Sequence, residues 1–351
     1  MNSNASAGAI DRVVSEIERM GSKAHLSRGQ FRTVIGAMGE EGQLDQNHLL
    51  SLDGVERVLP IMRPWKLASR EFHEEDSVIE IGGGKSALGA EVPRVKVGGA
   101  HAVCIAGPCA VENQQMLNRI ARDVREGGAT VLRGGAFKPR TSPYSFQGHG
   151  EDALRWMRAC GDELGMPICT EVMDTRQVEL IEKYADAFQI GARNMQNFDL
   201  LREVGKTRKP VVLKRGLAAT VKDWLLSAEY VLSQGNRSVI LCERGIKTFE
   251  DSIRYSMDVS SIPVALQWTH LPVIVDPSHA AGKRDYVAAL AYAGMAAGAH
   301  GIIVESHYCP AEAQCDGPQA LLPETFKEMM SKLRQIAAVT GREFAGEVVA
   351  A

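Results

Sequence analysis

Residues 210–245 read PVVLKRGLAATVKDWLLSAEYVLSQGNRSVILCERG, and the order of residue types within them decides the fold. Val211–Leu213 is a short apolar run, rich in β-branched residues and too continuous for a strand with one wet face. Thr220 then opens a helical stretch, with Asp223 three residues on as its capping-box partner. Val221, Trp224, Leu225, Ala228 and Leu232 recur at helical spacing, and Gly235 stands where a C-cap is expected. Val239–Leu241 is a second run like the first. Runs of this kind are strands buried on both faces, which means a parallel sheet covered by helices.

The same theme runs outward from about His101 to the last helix. The other runs are Ala102–Ala106, Thr130–Leu132, Ile168–Thr170, Ala187–Ile190, Val273–Val275 and Ile302–Val304. The last helix carries Phe326, Met330, Leu333 and Ala337 on one stripe and closes at Gly341. Such stripes are core packing and have no cofactor role. Eight units in about 250 residues is the count of a closed barrel. An open doubly wound sheet is the alternative, but no G-x-G-x-x-G follows the first strand, and Gly134-Gly135 after the second is not that pattern. The fold class is therefore α/β, a (β/α)8 barrel over residues 101–351.

With 351 residues there is room for one large domain and a small one. A net charge of −3 points to no nucleic-acid or membrane partner, and no apolar run approaches the length of a bilayer. Met1–Ala9 is small and polar, unlike a signal peptide. Seven cysteines, odd in number and irregular in spacing, make no disulfide framework, so a reducing cytoplasm is expected.

In a barrel of this kind the active site stands at the C-terminal ends of the strands. Taken in order, those ends deliver Cys109, Arg133, Glu171, Arg193, Lys214, Glu243 with Arg244, His279 and Glu305. One charged strand end is ordinary; all of them converging on one rim is not explained by solvation. Cys109, His279 and Glu305, with Asp316 in the loop after the last strand, are metal-ligand types suited to divalent manganese, iron, cobalt or zinc. Cys109 follows Gly107-Pro108 and so lies in the turn beyond its strand, whereas Cys104, Cys160, Cys169 and Cys242 read as inert core. Cys309 and Cys315 share the final loop with Asp316, where oxidation would compete with a metal. Arg133, Lys138, Arg140, Arg193, Lys214 and Arg244 form a cationic group whose mutual repulsion calls for anions, such as two phosphates and a carboxylate. The turn Lys138-Pro139-Arg140-Thr141-Ser142 adds hydroxyl and backbone donors.

The stretches IAGPCAVE, LRGGAFKPRTSPYSFQG, QIGARNMQNF, LKRG, LCERG, VDPSHAAGKRD and GAHGIIVESH resemble, in order and spacing, those of 3-deoxy-D-arabino-heptulosonate-7-phosphate synthases of the type I-beta branch. The resemblance spans roughly residues 20 to 341. It implies condensation of phosphoenolpyruvate with erythrose 4-phosphate and water, and homo-oligomers, dimers or tetramers. It places metal ligands at Cys109, His279, Glu305 and Asp316. Phosphoenolpyruvate contacts fall on Arg133, Lys138, Arg193, Lys214 and Arg244, with Glu243 beside them, and erythrose 4-phosphate contacts on Arg140 and Thr141. Catalytic roles are expected of Lys138, as donor to the developing alkoxide, of Glu171, as acceptor for water protons, and of Cys109 and His279 through the metal they would hold. The sibling octulosonate synthase has a loop resembling Lys-Ala-Asn-Arg-Ser-Ser where this chain reads Lys138–Ser142, and the difference favours the four-carbon aldose. A phosphosugar-binding barrel without catalysis is the rival of another class, and it predicts a broken metal set.

The first hundred residues fall outside the barrel pattern. They read as a helix about Ile10–Met20, strands at Ala24–Leu26 and Arg32–Ala37, a helix near Asp45–Leu52 and a strand at Val55–Pro60. This is expected as a small α+β domain over residues 1–80, joined through a Gly-rich linker or hairpin at 81–100. AHLSRGQFRTVIGAMG (24–39) resembles the ferredoxin-like domain that binds aromatic amino-acid effectors in similar barrels, with His25 and Ser27 as candidate contacts. An exposed loop side chain with no ligand is the plain alternative for both. Similar domains begin with an apolar strand; MNSNASAGA stands there instead, so that strand is missing or survives only as a vestige at Ala5–Ala9.

Overall fold

The computed structural model describes residues 1–2, 4–28, 33–38, 44–59, 63–138, 142 and 144–345. It divides into two units, one of Met1–Glu75 with Trp268–His270, the other of Asp76–Gln267 with Leu271 onward.

In the first unit α1 (Ala7–Arg19) starts at Ser6, whose Oγ accepts from Ala9 N–H. Strands β1 (Lys23–Arg28) and β2 (Thr33–Met38) pair antiparallel, His25 opposite Gly36 and Ser27 opposite Val34. Helix α2 (Gln46–Ser51) is capped by Asp45. Val13 and Ile17, one turn apart on α1, bury against Leu49 with Ala24, Ile35, Ala37, Val55 and Val58 around them. Two sequence expectations need correction. Ala5–Ala9 is no strand vestige: its last three residues already belong to α1, and no strand precedes that helix among the described residues. Val55–Leu59, expected as a strand, forms none; Val55 N–H turns back to Leu52 O, leaving the segment without a ladder partner.

The second unit opens with an antiparallel hairpin, β3 (Ile79–Gly82) and β4 (Arg94–Val97). Eight parallel strands follow: β5 (His101–Gly107), β6 (Val131–Arg133), β7 (Ile168–Glu171), β8 (Ala187–Ile190), β9 (Val211–Lys214), β10 (Val239–Glu243), β11 (Val273–Val275) and β12 (Gly301–Glu305). Each pairs with the next, and β12 pairs with β5 from Gly301↔Val103 to Glu305↔Gly107, closing the ring. A two-residue strand, β13 (Glu343–Phe344), adds to β5 at His101 and Ala102. The crossover helices are α3 (Gln114–Glu126), α4 (Glu151–Leu164), α5 (Val178–Tyr184), α6 (Phe198–Lys206), α7 (Val221–Leu232), α8 (Ser261–Trp268), α10 (Arg284–Ala296) and α11 (Pro323–Val339), with a short α9 (Pro277–Ala281) directly after β11. Helix α7 has the capping box expected of Thr220 and Asp223.

Val103, Ile105, Val131, Cys169, Val212, Ile240, Ile274 and Ile303 fill the barrel from inside, as period-2 strands require. The same cluster includes Ile79, Ile81, Val95 and Val97, while Glu80, Arg94 and Lys96 point outward. Residues 81–100 are thus more than a linker: the hairpin plugs the barrel at the end where the strands begin, with Gly82 against Pro167, the residue before β7. Burying one such Ile or Val contributes about 1.5–3 kcal/mol. At the other end Gly107 permits the turn to Cys109, since a Cβ there would lie 2.0 Å from Arg133 O.

Candidate active site

The strand ends place most of the expected residues around one buried mouth. Arg133, at the end of β6, donates from Nη1 to Glu305 Oε1 at 2.7 Å; its buried Nε finds no acceptor among the described residues. Lys138 is buried and donates from Nζ to the carbonyl oxygen and the sulfur of Cys109, each at 3.1 Å. Lys214, ending β9, reaches Asp276 Oδ2 at 2.5 Å. Arg244 lies 4.4 Å above the Tyr255 ring with a buried Nη1 lacking an acceptor among the described residues. Burial pushes the Arg244 guanidinium below its usual pKa, the opposite of what a bound anion would do. Glu171, ending β7, is buried and accepts no hydrogen bond from a described residue. A Cβ on Gly191 would fall 2.1 Å from its Oε1, so the glycine of QIGARN makes room for this carboxylate.

Cys109 Sγ, His279, Glu305 and Asp316 bring one donor atom each within 4.8 Å of one another. Asp276 caps α9 by accepting from His279 N–H, and its Oδ2 lies 2.8 Å from His279 Nδ1. Held from that side, the imidazole turns Nε2 to Glu305 Oε1 at 3.4 Å and Asp316 Oδ2 at 3.8 Å. Cys109 Sγ lies 3.4 Å from Asp316 Oδ2 and 3.1 Å from Cys315 Sγ. Burial lowers the His279 pKa and keeps the ring neutral, as a metal ligand must be. Burial works to raise Asp316, but Arg254, together with His279 when its ring is protonated, prevails and holds it at about 2. The Cys315 contact and burial push the Cys109 thiol up, so a metal must displace a proton there. One thiol, one neutral imidazole and two ionised carboxylates fit a divalent first-row ion.

Some expected residues lie elsewhere. Fully buried, Glu243 accepts from Arg215 Nη1 at 3.0 Å, Gly245 N–H at 2.7 Å, Asp258 N–H at 3.3 Å and Ser261 Oγ at 3.3 Å, two bonds to each oxygen, so its acceptor sites are taken up within the protein. Arg193 is exposed and unpaired among the described residues. Arg140 and Thr141 lie outside the described residues. His25 and Ser27 stand on β1 rather than in a loop, two positions apart and so on one face, with Ser27 buried. The expected inert cysteines are buried, and burial raises the thiols of Cys169 to about 12 and Cys160 to about 11. Sequence reasoning missed Asp276, Arg215, Arg254 and Gln319. Only Asp276 had a legible signal, as an N-cap before proline at a strand end.

A closed barrel whose mouth joins four metal-ligand side chains to buried lysine and arginine defines an enzyme for small phosphorylated substrates. The chain belongs to the DAHP synthetase I family, whose model matches residues 77–339; the DAHP synthase ferredoxin-like domain matches residues 1–63. It is 47% identical over 332 residues to the phospho-2-dehydro-3-deoxyheptonate aldolase of Thermotoga maritima, covering 95% of each chain. It is 34% identical over 264 residues to the 2-dehydro-3-deoxyphosphooctonate aldolase of Syntrophobacter fumaroxidans, covering 70% of this chain and 91% of that one. A crystal structure of the Thermotoga maritima DAHP synthase superposes with a TM-score of 0.76 at 45% identity, covering 98% of this chain and 97% of that one. A truncated form of that enzyme gives 0.72 at 44% identity, covering 80% of this chain and 99% of that one.

Proposed function

We infer that the chain performs the reaction of a 3-deoxy-D-arabino-heptulosonate-7-phosphate synthase at this mouth. It is a transferase that condenses phosphoenolpyruvate with D-erythrose 4-phosphate and water, releasing phosphate, the first step of the shikimate pathway. The observation that carries this reading is the contact between the two groups of side chains, with Lys138 Nζ 3.1 Å from Cys109 Sγ and Arg133 on Glu305. The anion cradle and the cluster of metal-ligand types are therefore one site.

Arg133, Lys138, Lys214, Arg244 and the exposed Arg193 take the phosphate and carboxylate of phosphoenolpyruvate, the guanidiniums in bidentate fashion. Arg133 Nε and Arg244 Nη1, which have no acceptor among the described residues, are donors available to such groups. Arg140 and Thr141 take the phosphate of the aldose. Cys109, His279, Glu305 and Asp316 would hold a divalent ion (Mn, Fe, Co or Zn), which would supply Lewis acidity to the aldehyde. C3 of phosphoenolpyruvate attacks the aldehyde carbon, and Lys138 delivers the proton that makes the new hydroxyl. Glu171 removes a proton from the water that adds at C2, and the phosphate leaves by C–O cleavage.

A second reading, the octulosonate reaction with a five-carbon aldose, draws on the Syntrophobacter fumaroxidans relative. The Lys138–Ser142 sequence and the longer, closer match to the Thermotoga maritima enzyme favour erythrose 4-phosphate. The first unit is an effector domain for an aromatic amino acid, with His25 and Ser27 as contacts. The working form is a homodimer or homotetramer in a reducing cytoplasm, a compartment that suits seven free cysteines. Among the described residues no helix is long and apolar enough to cross a membrane.

The test is phosphate release from phosphoenolpyruvate with erythrose 4-phosphate or arabinose 5-phosphate, after EDTA treatment and again with added Mn²⁺. Metal-dependent release with the four-carbon sugar alone is expected. Release only with the five-carbon sugar moves the assignment to the sibling reaction, and release with neither leaves a binding protein.

A further inference from the structure

Outside the donor atoms just described, one side chain reaches the elements that carry three of them. Arg254 lies on the loop after β10. Its Nη1 donates to Asp316 Oδ1 at 3.2 Å and to Gln319 Oε1 at 2.9 Å. Gln319 is buried, and its Nε2 donates in turn to Glu305 Oε2 at 2.6 Å. The Arg254 backbone N–H donates to Ala281 O at 3.2 Å, and that of Tyr255 to Ala280 O at 2.9 Å, which stitches the loop to the helix bearing His279. Gly282, next on that helix, leaves the space the arginine stem occupies: a Cβ there would meet Arg254 Cβ at 2.5 Å.

Two further features give these contacts a purpose. Asp316 has φ 51° and ψ 29°, the one described non-glycine residue in the left-handed region. That conformation persists only where surrounding contacts over-determine it. Each carboxylate is also divided between two tasks. Asp316 gives Oδ1 to Arg254 and turns Oδ2 to Cys109 and His279. Glu305 gives Oε2 to Gln319 and turns Oε1, which also accepts from Arg133 Nη1 at 2.7 Å, to His279.

We propose that Arg254, acting with Gln319, is a positioning residue that fixes Asp316 and Glu305 as one-oxygen ligands and holds Asp316 in its strained backbone conformation. This rests on reading the Cys109–His279–Glu305–Asp316 cluster as a metal centre. Outer partners of this kind orient metal ligands, and their loss weakens metal binding about 10- to 100-fold. Arg254 touches no reacting atom; it acts through the ligands.

The experiment measures Mn²⁺ affinity by calorimetry on the full metal-stripped chain, for the wild type, Arg254→Ala, Arg254→Lys and Gln319→Leu, with KM for phosphoenolpyruvate measured in parallel. Thermal melts of the metal-stripped proteins establish that each variant is folded. Arg254→Ala is expected to bind Mn²⁺ about 10- to 100-fold more weakly, Arg254→Lys to recover part of the loss, and Gln319→Leu to share it. KM for phosphoenolpyruvate at saturating Mn²⁺ is expected to stay within about twofold, because no anion contact is removed. Wild-type Mn²⁺ affinity in a folded Arg254→Ala overturns the proposal, and so does a raised KM with unchanged metal affinity, which would make Arg254 a substrate contact. A wild-type chain that binds no Mn²⁺ overturns the metal-centre reading itself, a result distinct from either.

Discussion

At the level of single residues the mouth is a set of side chains whose alternatives have been removed. Lys138 has Cys109 as its partner, Lys214 has Asp276, and Glu171 sits where Gly191 leaves a gap. The glycine gives the sharpest test, because a methyl group there cannot coexist with Glu171 Oε1 at 2.1 Å. Gly191→Ala is expected to leave the fold intact, since the backbone there has an ordinary extended φ of −66°. It should push Glu171 out of line and lower kcat about 100-fold, the size of effect that a misplacement of about 1 Å produces. Steady-state phosphate release measures this, and an unchanged kcat would remove Glu171 from the mechanism. The residues legible in the sequence were those standing at strand ends, because chain order alone puts Cys109, Arg133, Lys214 and Glu305 on one rim. Glu243 stands at such an end too, yet its carboxylate is taken up by Arg215, Gly245, Asp258 and Ser261, because sequence position does not say which partners a terminal side chain finds. Arg254 and Gln319 were not legible: each lies in a loop, and only the closed barrel brings them within reach of Asp316 and Glu305.

Between elements, the loops after β9 and β10 are joined beneath the mouth by Arg215, which donates from Nη1 to Glu243 at 3.0 Å and to Asp258 at 2.8 Å. Arg215 follows Lys214 and Glu243 precedes Arg244, so this buried ion pair ties together the strand ends from which two of the proposed anion-binding side chains emerge. Glu243→Ala strips Arg215 of its fully buried partner and should cost about 3 kcal/mol, the low end for breaking a buried pair, since Asp258 remains. Urea unfolding of both proteins provides the measurement, and a difference below about 1 kcal/mol would mean the loops are held by other contacts. Asp258 adds a pH dependence. Burial works to raise its pKa, but the Arg215 hydrogen bond and charge win and lower it. A depressed carboxyl pKa contributes stability that is fully present above the unfolded value of about 3.9 and is lost as pH falls through the folded value. Asp258→Asn should therefore lose stability at neutral pH and show a shallower fall below about pH 4; parallel acid titrations followed by circular dichroism would reveal identical slopes if the pair were idle. The barrel strands themselves were legible because each is a short run buried on both faces. The hairpin was legible as a ribbon at 81–100, but its role as a plug was not, since Ile79, Ile81, Val95 and Val97 alternate with exposed residues and look like any two-stranded ribbon until the barrel end receives them.

Across the whole molecule, the two family matches fall on separate stretches of chain. The family match for the barrel begins at residue 77 and that for the ferredoxin-like domain ends at residue 63, and all four clustered metal-ligand types, with the cations proposed to bind anions, lie after the boundary. A helix and two paired strands were legible in the first unit. Its last expected strand was not found, because a run such as Val55–Leu59 needs a neighbour to become a strand and the sequence does not name one. The place to cut is set by Trp65, whose ring stacks on Trp268 at 5.6 Å between centroids, and by His270, which bonds to Leu67 O at 2.8 Å. Truncating at residue 75 would strip both contacts and expose an indole, whereas a chain starting at Pro64 keeps them. That shorter chain is expected to fold, to bind Mn²⁺ as the full chain does, and to release phosphate from phosphoenolpyruvate and erythrose 4-phosphate with kcat within about threefold, since no transition-state contact is removed. If the first unit is the effector domain, tyrosine or phenylalanine will inhibit the full chain and leave the shortened one unaffected. Inhibition that survives the truncation would place the effector on the barrel and take His25 and Ser27 out of the account. A shortened chain that folds but releases no phosphate would mean instead that the first unit is required for catalysis.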